Sequence, residues 1–188
     1  MNLNSRPTTS VNERIAETLV AEQVRAPIVR RLSHVPLATI SRFYLRHHGR
    51  GSKSGQMPFD LHHLAENHDL SSHAALLLLA YREIFRVIRS EVGDSTPKDV
   101  IADCAFTRAL TFYNHTICAG KPLISGERAY TLIQHFSDKA AFPMNVGAPN
   151  GIKLGQCSTC RTPLLIAAHF AEYTCPSCQP SRRRVGAN

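Results

Sequence analysis

Residues 157–178 read CSTCRTPLLIAAHFAEYTCPSC. Two C-x2-C pairs, Cys157/Cys160 and Cys175/Cys178, are separated by 14 residues. Two intervening residues let both sulfurs of a tight turn face one metal ion, and a hairpin between two such turns brings the pairs together. The spacing predicts a Zn2+ site, one ion per chain, ligated by Cys157, Cys160, Cys175 and Cys178. Iron in a rubredoxin-like site and a redox dithiol share this spacing. Four protein ligands leave no open coordination position, which makes the site structural rather than catalytic. Between the pairs, LLIAAHF and AEYT read as two short strands. His169 reads as a strand residue rather than a ligand. Cys104 and Cys118 fall in helical apolar patterns and read as packed core thiols.

Upstream of the cysteines the chain reads as helical. A polar stretch, 1–10, forms a flexible N-terminus. Ser10 and Glu13 fit a capping box, followed by the stripe Ile15, Leu19, Val24. Pro27 opens a second helix, and Pro36 opens a third that stops at Gly49. GRGSKSGQMP, 49–58, is a basic loop. Ser71 or Ser72 caps HAALLLLAYREIFRVI, which ends before Gly93. Further helices span about Pro97 to Ala119 and Ser125 to Lys139, and the helices over 71–90 and 97–119 should form the core. His62, His63, His68 and His73 read as solvated or loop histidines. The domains expected are therefore 11–139, a helical DNA- and partner-binding domain; 140–155, a Pro/Gly-rich linker; and 156–184, a four-cysteine zinc ribbon-like module with a basic tail. The fold class is mainly α.

The 188 residues carry 22 Lys+Arg against 14 Asp+Glu, a formal charge of +8. The excess sits at the two ends. Arg25, Arg30, Arg31, Arg42, Arg46, Arg50 and Lys53 fall in a stretch with no acid, and Lys153, Arg161 and Arg182 to Arg184 stand against Glu172 alone. Such segregation implies a polyanionic partner. The second and third helices, 26–33 and 36–48, have helix-turn-helix dimensions, with His34 where a small glycine is usual. Val29, Val35, Ile40 and Phe43 would be buried. Thr39, Ser41, Arg42, Arg46, His47 and His48 would be exposed. This is either a DNA-reading unit or an ordinary helical hairpin with a solvated basic face.

The ordered set VPLATISRFYLRHHG, KSGQMPFD, GERAYTLIQHF and CSTC(x14)CPSCQPSRRR resembles the FlhC family, the zinc-containing subunit of the bacterial flagellar master activator. The resemblance runs from about Val35 to Arg184 and is that of a divergent member, with a longer 140–155 stretch. It implies four cysteine zinc ligands at Cys157, Cys160, Cys175 and Cys178. It implies a FlhD-like partner, in a heterohexamer of four FlhD and two FlhC. It implies promoter DNA as target and activation with the sigma-70 RNA polymerase. By region, Arg42, Arg46, His47, Arg50, Lys53, Arg182, Arg183 and Arg184 become the candidate DNA contacts. Flagellar class II genes are the expected regulon. Related activators control conjugative transfer genes, and a zinc-ribbon protein scaffold is the reading of another class.

An enzyme is not expected, nor a small-molecule substrate: the sequence has no P-loop, dinucleotide fingerprint or HExxH. No apolar run approaches a membrane span. MNLNSRPTTSVNER has no apolar signal core. The expected location is the cytoplasm, where disulfides are disfavoured.

Overall fold

The computed structural model describes residues 9–56, 60–93, 95–137 and 151–179. Pro27 and Pro36 sit where helices begin, because proline has the helical φ and no N–H to lose there. Helix α2 spans Ala26–Ser33 and α3 spans Leu37–His48. Both follow α1, Thr9–Ala21, so Ser10 lies within the first helix rather than before it. Two left-handed residues end α2 and α3: His34 at φ 57° and Gly49 at φ 64°. Histidine tolerates this region better than branched residues do, so the turn forms without a glycine. Ile28, Val29, Leu32, Val35, Ile40, Phe43 and Tyr44 close against Ala16, Leu19, Val20 and Val24 of the α1 segment. Two hydrogen bonds set α3 on α1: the Tyr44 hydroxyl donates to Val24 O, and His48 Nε2 lies 2.7 Å from Val20 O.

A short helix α4, His62–Glu66, leads into the long α5, His68–Val92. Asn67 caps α5, accepting from the N–H groups of Asp69 and Leu70. The cap is therefore Asn67, not Ser71 or Ser72. Ser71 is buried and donates to Leu165 O at 2.7 Å. The four histidines 62, 63, 68 and 73 belong to α4 and α5 rather than to loops, and all but His62 are half-buried. Helix α6, Lys98–Phe112, widens into a π turn over Tyr113–Ile117, where the Cys118 N–H donates to Tyr113 O at 2.9 Å. The wider turn places both Tyr113 and Asn114 inward. Asn114 and His115 reach Glu22 at the end of the α1 segment. Helix α7, Gly126–Ser137, packs Ala129, Leu132, Ile133 and Phe136 into the same core as α5 and α6.

Arg25 follows α1, and its Nε donates to Glu127 Oε1 of α7 at 3.0 Å, with side chains only 16% and 6% exposed. The same guanidinium donates to Gly55 O and Gln56 O, so the basic loop folds back onto the start of α2. Burial raises the Glu127 pKa, but backbone N–H, Ser125 and Arg25 outweigh it and hold the carboxyl below its ordinary value.

The stretch read as a linker, 140–155, ends in a strand. Strand β1, Ile152–Gln156, lies inside it and pairs antiparallel with β2, Pro163–Ala167. Residues 171–174, the other expected strand, form no strand. The hairpin thus closes around the first cysteine turn rather than between the two pairs. Residues 140–150 of that stretch lie outside the described residues. Side chains alternate across a strand. Ile152, Leu154 and Leu165 join the helical core, while Leu164 and Ile166 pack with Cys157 and Cys175. Gly155 leaves room for Ile166, whose Cδ1 lies 2.6 Å from where a Cβ would stand.

Gly126→Ala should lower stability by about 1–3 kcal/mol, since overpacking a stiff neighbour forces a shift. The added Cβ would meet Val24 Cγ2 at 2.7 Å. Gly51→Ala, with nothing within 4 Å, serves as the control in urea denaturation. The depressed Glu127 pKa contributes stability present above the unfolded value, about pH 4.3, and lost as pH falls through the folded value. Glu127→Gln should therefore flatten the acid limb of the stability profile, read as denaturation midpoint against pH.

Candidate metal centre and basic helix face

Each cysteine pair is held in a backbone turn. The Arg161 N–H donates to Cys157 O at 3.0 Å, with Arg161 in the left-handed region at φ 63°. The second turn repeats the closure through Cys178 N–H and Gln179 N–H, both donating to Cys175 O. The turns are tied together by the Ser158 N–H to Tyr173 O, 2.8 Å, and by the Ser158 and Thr174 hydroxyls, 2.8 Å apart. The result brings all four sulfurs within 4.8 Å of one another. A tetrahedral thiolate site with bonds of about 2.3 Å has edges of about 3.8 Å. Cys160 Sγ and Cys175 Sγ are 3.8 Å apart. The four thiols are free, so the separation is that of co-ligands and not of a disulfide. The residues fit a metal ion.

The electrostatics prepare the sulfurs unequally. The backbone N–H of Cys175, then that of Cys160, draws the Cys157 thiol down to about 5. The Thr162 hydroxyl, then its N–H, lowers Cys160. Cys178 is pushed up to about 12, first by the Cys175 sulfur and then by that of Cys160. Like charges this close cannot all form without a cation. Metal uptake therefore expels a proton from the cluster. His169 is exposed and stacks on Phe170, 4.2 Å between ring centroids, which leaves it outside the cluster. Cys104 and Cys118 are half-buried and also lie outside it.

The second candidate surface is α3. Val29, Val35, Ile40 and Phe43 are buried, while Ser41, Arg42, Arg46 and His47 are exposed and Thr39 and His48 are half-buried. Arg42 NH2 donates to Thr39 Oγ1 at 3.1 Å. Arg46 lies over the Phe43 ring, 5.4 Å from its centroid. Arg50 and Lys53 are exposed in the following loop, and Arg50 reaches Gln23 at 3.5 Å. Arg42, Arg46, His47, Arg50 and Lys53 are thus all exposed, on α3 or on the loop that follows it. Arg182, Arg183 and Arg184 lie outside the described residues.

Three features of this surface have no counterpart in the sequence reading. Glu17 of α1 receives Arg46 NH1 and lies by His47 Nε2, each at 3.0 Å. The His47 hydrogen bond, and beyond it the Arg46 charge, hold the Glu17 carboxyl below its ordinary value. Arg25 is turned inward to Glu127, and Arg31 lies 5.7 Å from the centroid of the Tyr130 ring. Of the seven basic residues in sequence only Arg25 is drawn in; Arg31 stays exposed beside its ring. Glu17 lies one position from Ala16 and three from Val20, at the edge of the α1 face that packs against α3. Nothing local to Arg25 points to Glu127, 102 residues away.

No protein-family model matches the chain, and no curated protein matches it. No helix among the described residues is long and apolar enough to cross a membrane.

Cys175→Ser should abolish stoichiometric metal binding, read by metal analysis of the purified protein. Chelation should loosen the small core of Cys157, Leu164, Ile166 and Cys175 while the helical circular dichroism persists. Full loss of helical signal on chelation would contradict the division into two cores.

Proposed function

We propose that the chain is a DNA-binding subunit of a transcriptional activator, with one Zn2+ in the four-cysteine site. The observation that carries this reading is the outer face of α3. It presents Ser41, Arg42, Arg46 and His47 on a helix whose opposite side is fixed in the core. Residues of this kind read base edges and fix phosphates. Zinc is the ion favoured by four thiolates in tetrahedral array. Its role is structural, and the chain has no catalytic task of its own.

The likeness of the four quoted motifs to the FlhC family supports a fuller version. There the chain works in the cytoplasm with a FlhD-like partner, four of the partner to two of this chain, at sigma-70 promoters. Flagellar class II genes are the proposed regulon; conjugative transfer genes keep the mechanism and change the regulon.

Glu17 occupies Arg46 and His47 in the absence of DNA. Phosphate would replace this exposed carboxylate with little loss, because exposed ion pairs contribute only about 0–1 kcal/mol. Arg42→Ala should weaken binding by about 1–3 kcal/mol and relax sequence preference, as expected of a base-reading arginine. Glu17→Gln should strengthen binding by freeing the Arg46 guanidinium and the His47 ring from a competing carboxylate. Both are read by titration of promoter fragments across salt concentrations, where log K falls with a slope of about −0.9 per phosphate contact. Genome-wide occupancy of the tagged chain then assigns the regulon. Equal affinity of the assembled complex for promoter and random DNA at every salt would overturn the proposal.

A further inference from the structure

Cys118 directly follows the π turn, and its Sγ lies 3.5 Å from His73 Nδ1 of α5. The Tyr113 hydroxyl lies 3.1 Å from the same nitrogen. Thiol, imidazole and phenol therefore converge on one point. The widened turn makes this possible, since it carries Tyr113 and Cys118 at its two ends. Single π turns of this kind occur frequently at functional sites. Tyr113 is fully buried, and burial first, then the Cys118 sulfur, push its ionisation up. It stays a phenol and a hydrogen-bond donor. An imidazolium and a neutral donor are the groups that stabilise a thiolate. Cys118 packs against the helical core yet is only half-buried.

Cys104 provides the contrast within the same chain. It is half-buried too, but burial pushes its thiol up, and no imidazole meets it among the described residues. Glu22 approaches the turn from α1, but its oxygens are taken by Asn114 and His115. Lys121 is exposed on the loop beyond.

We propose that Cys118 is a reactive thiol, reversibly oxidised by hydroperoxides to the sulfenic acid, with His73 as its proton partner. His73 Nδ1 takes the thiol proton as the sulfur attacks one peroxide oxygen, an S–O bond forms and the O–O bond breaks. Sulfur is oxidised and the peroxide is reduced. The leaving hydroxide takes the Nδ1 proton of the His73 imidazolium, giving water, neutral imidazole and the sulfenic acid. A dithiol returns the sulfur to the thiol.

The test uses the full-length, metal-loaded chain. Hydrogen peroxide is added with dimedone as a sulfenic-acid trap, and adducts are mapped by peptide mass spectrometry. Cys118 should be labelled about tenfold faster than Cys104. His73→Gln should slow labelling at Cys118 and leave Cys104 unchanged. In the unaltered chain, iodoacetamide should likewise alkylate Cys118 faster than Cys104. Equal labelling of the two thiols, equal alkylation of the two thiols, or a His73→Gln chain that labels Cys118 at the original rate would overturn the proposal. The two comparisons of Cys118 with Cys104 need no variant, so they decide the matter even where His73→Gln fails to fold.

Discussion

Alternation along one five-residue strand joins the two halves of this protein. Leu165 of β2 faces the helices, while Leu164 and Ile166 face the cysteines. A strand's period of two allows no other arrangement once one residue is fixed. Ser71 fixes it, through its hydrogen bond from α5 to Leu165 O. The four sulfurs are thus held to the helical core by a strand with no spare face. A slip of one residue would turn Leu165 toward the metal side and move Leu164 and Ile166 into the helices. Gly155 guards the same register, since only a residue without a side chain lets Ile166 lie where it does.

The basic character of the chain is shaped by packing more than by count. Arg25 serves structure, pairing with Glu127 and gathering the carbonyls of the following loop. A buried guanidinium needs such partners, because desolvation otherwise outweighs its attraction to a single carboxylate. Arg31 is drawn across an aromatic ring. It stays outward all the same, with Arg30, the row on α3 and the loop after it. That row is pre-arranged: Arg46 rests on Phe43 and is steadied by Glu17, while Tyr44 and His48 anchor the opposite side of the helix to α1. On α3 the charge is therefore presented by a rigid element.

Local chemistry is legible in the sequence, and long-range chemistry is not. Pro27, Pro36, Gly49 and Gly93 mark helix ends by their own backbone preferences, and the structure follows them. The cysteine cluster is legible for the same reason, since each half is made within four residues. The helix start at Asn67 is hidden because asparagine and serine cap equally well, and three candidates stand within six positions. Strand β1 is hidden because IKLGQ offers only two inward apolar residues in a Gly/Pro-rich context. The π turn leaves no local signal at all. It depends on Tyr113 and Asn114 finding His73 and Glu22, partners far away in the chain.

Those distant partners also bear on how the molecule is born. The ties that complete it join residues 92, 94 and 102 positions apart: Glu22 with Asn114, Ser71 with Leu165, and Arg25 with Glu127. Closing loops of this length costs chain entropy before the contacts offset it, and slows folding. During synthesis, α1 to α3 leave the ribosome long before α7 or the strands exist. Until then Arg25 has no carboxylate and Leu77, Leu78 and Tyr81 of α5 wait for part of their cover. The nascent chain thus spends most of its translation as a sticky, cationic intermediate, and its C-terminal elements decide when that vulnerable interval ends.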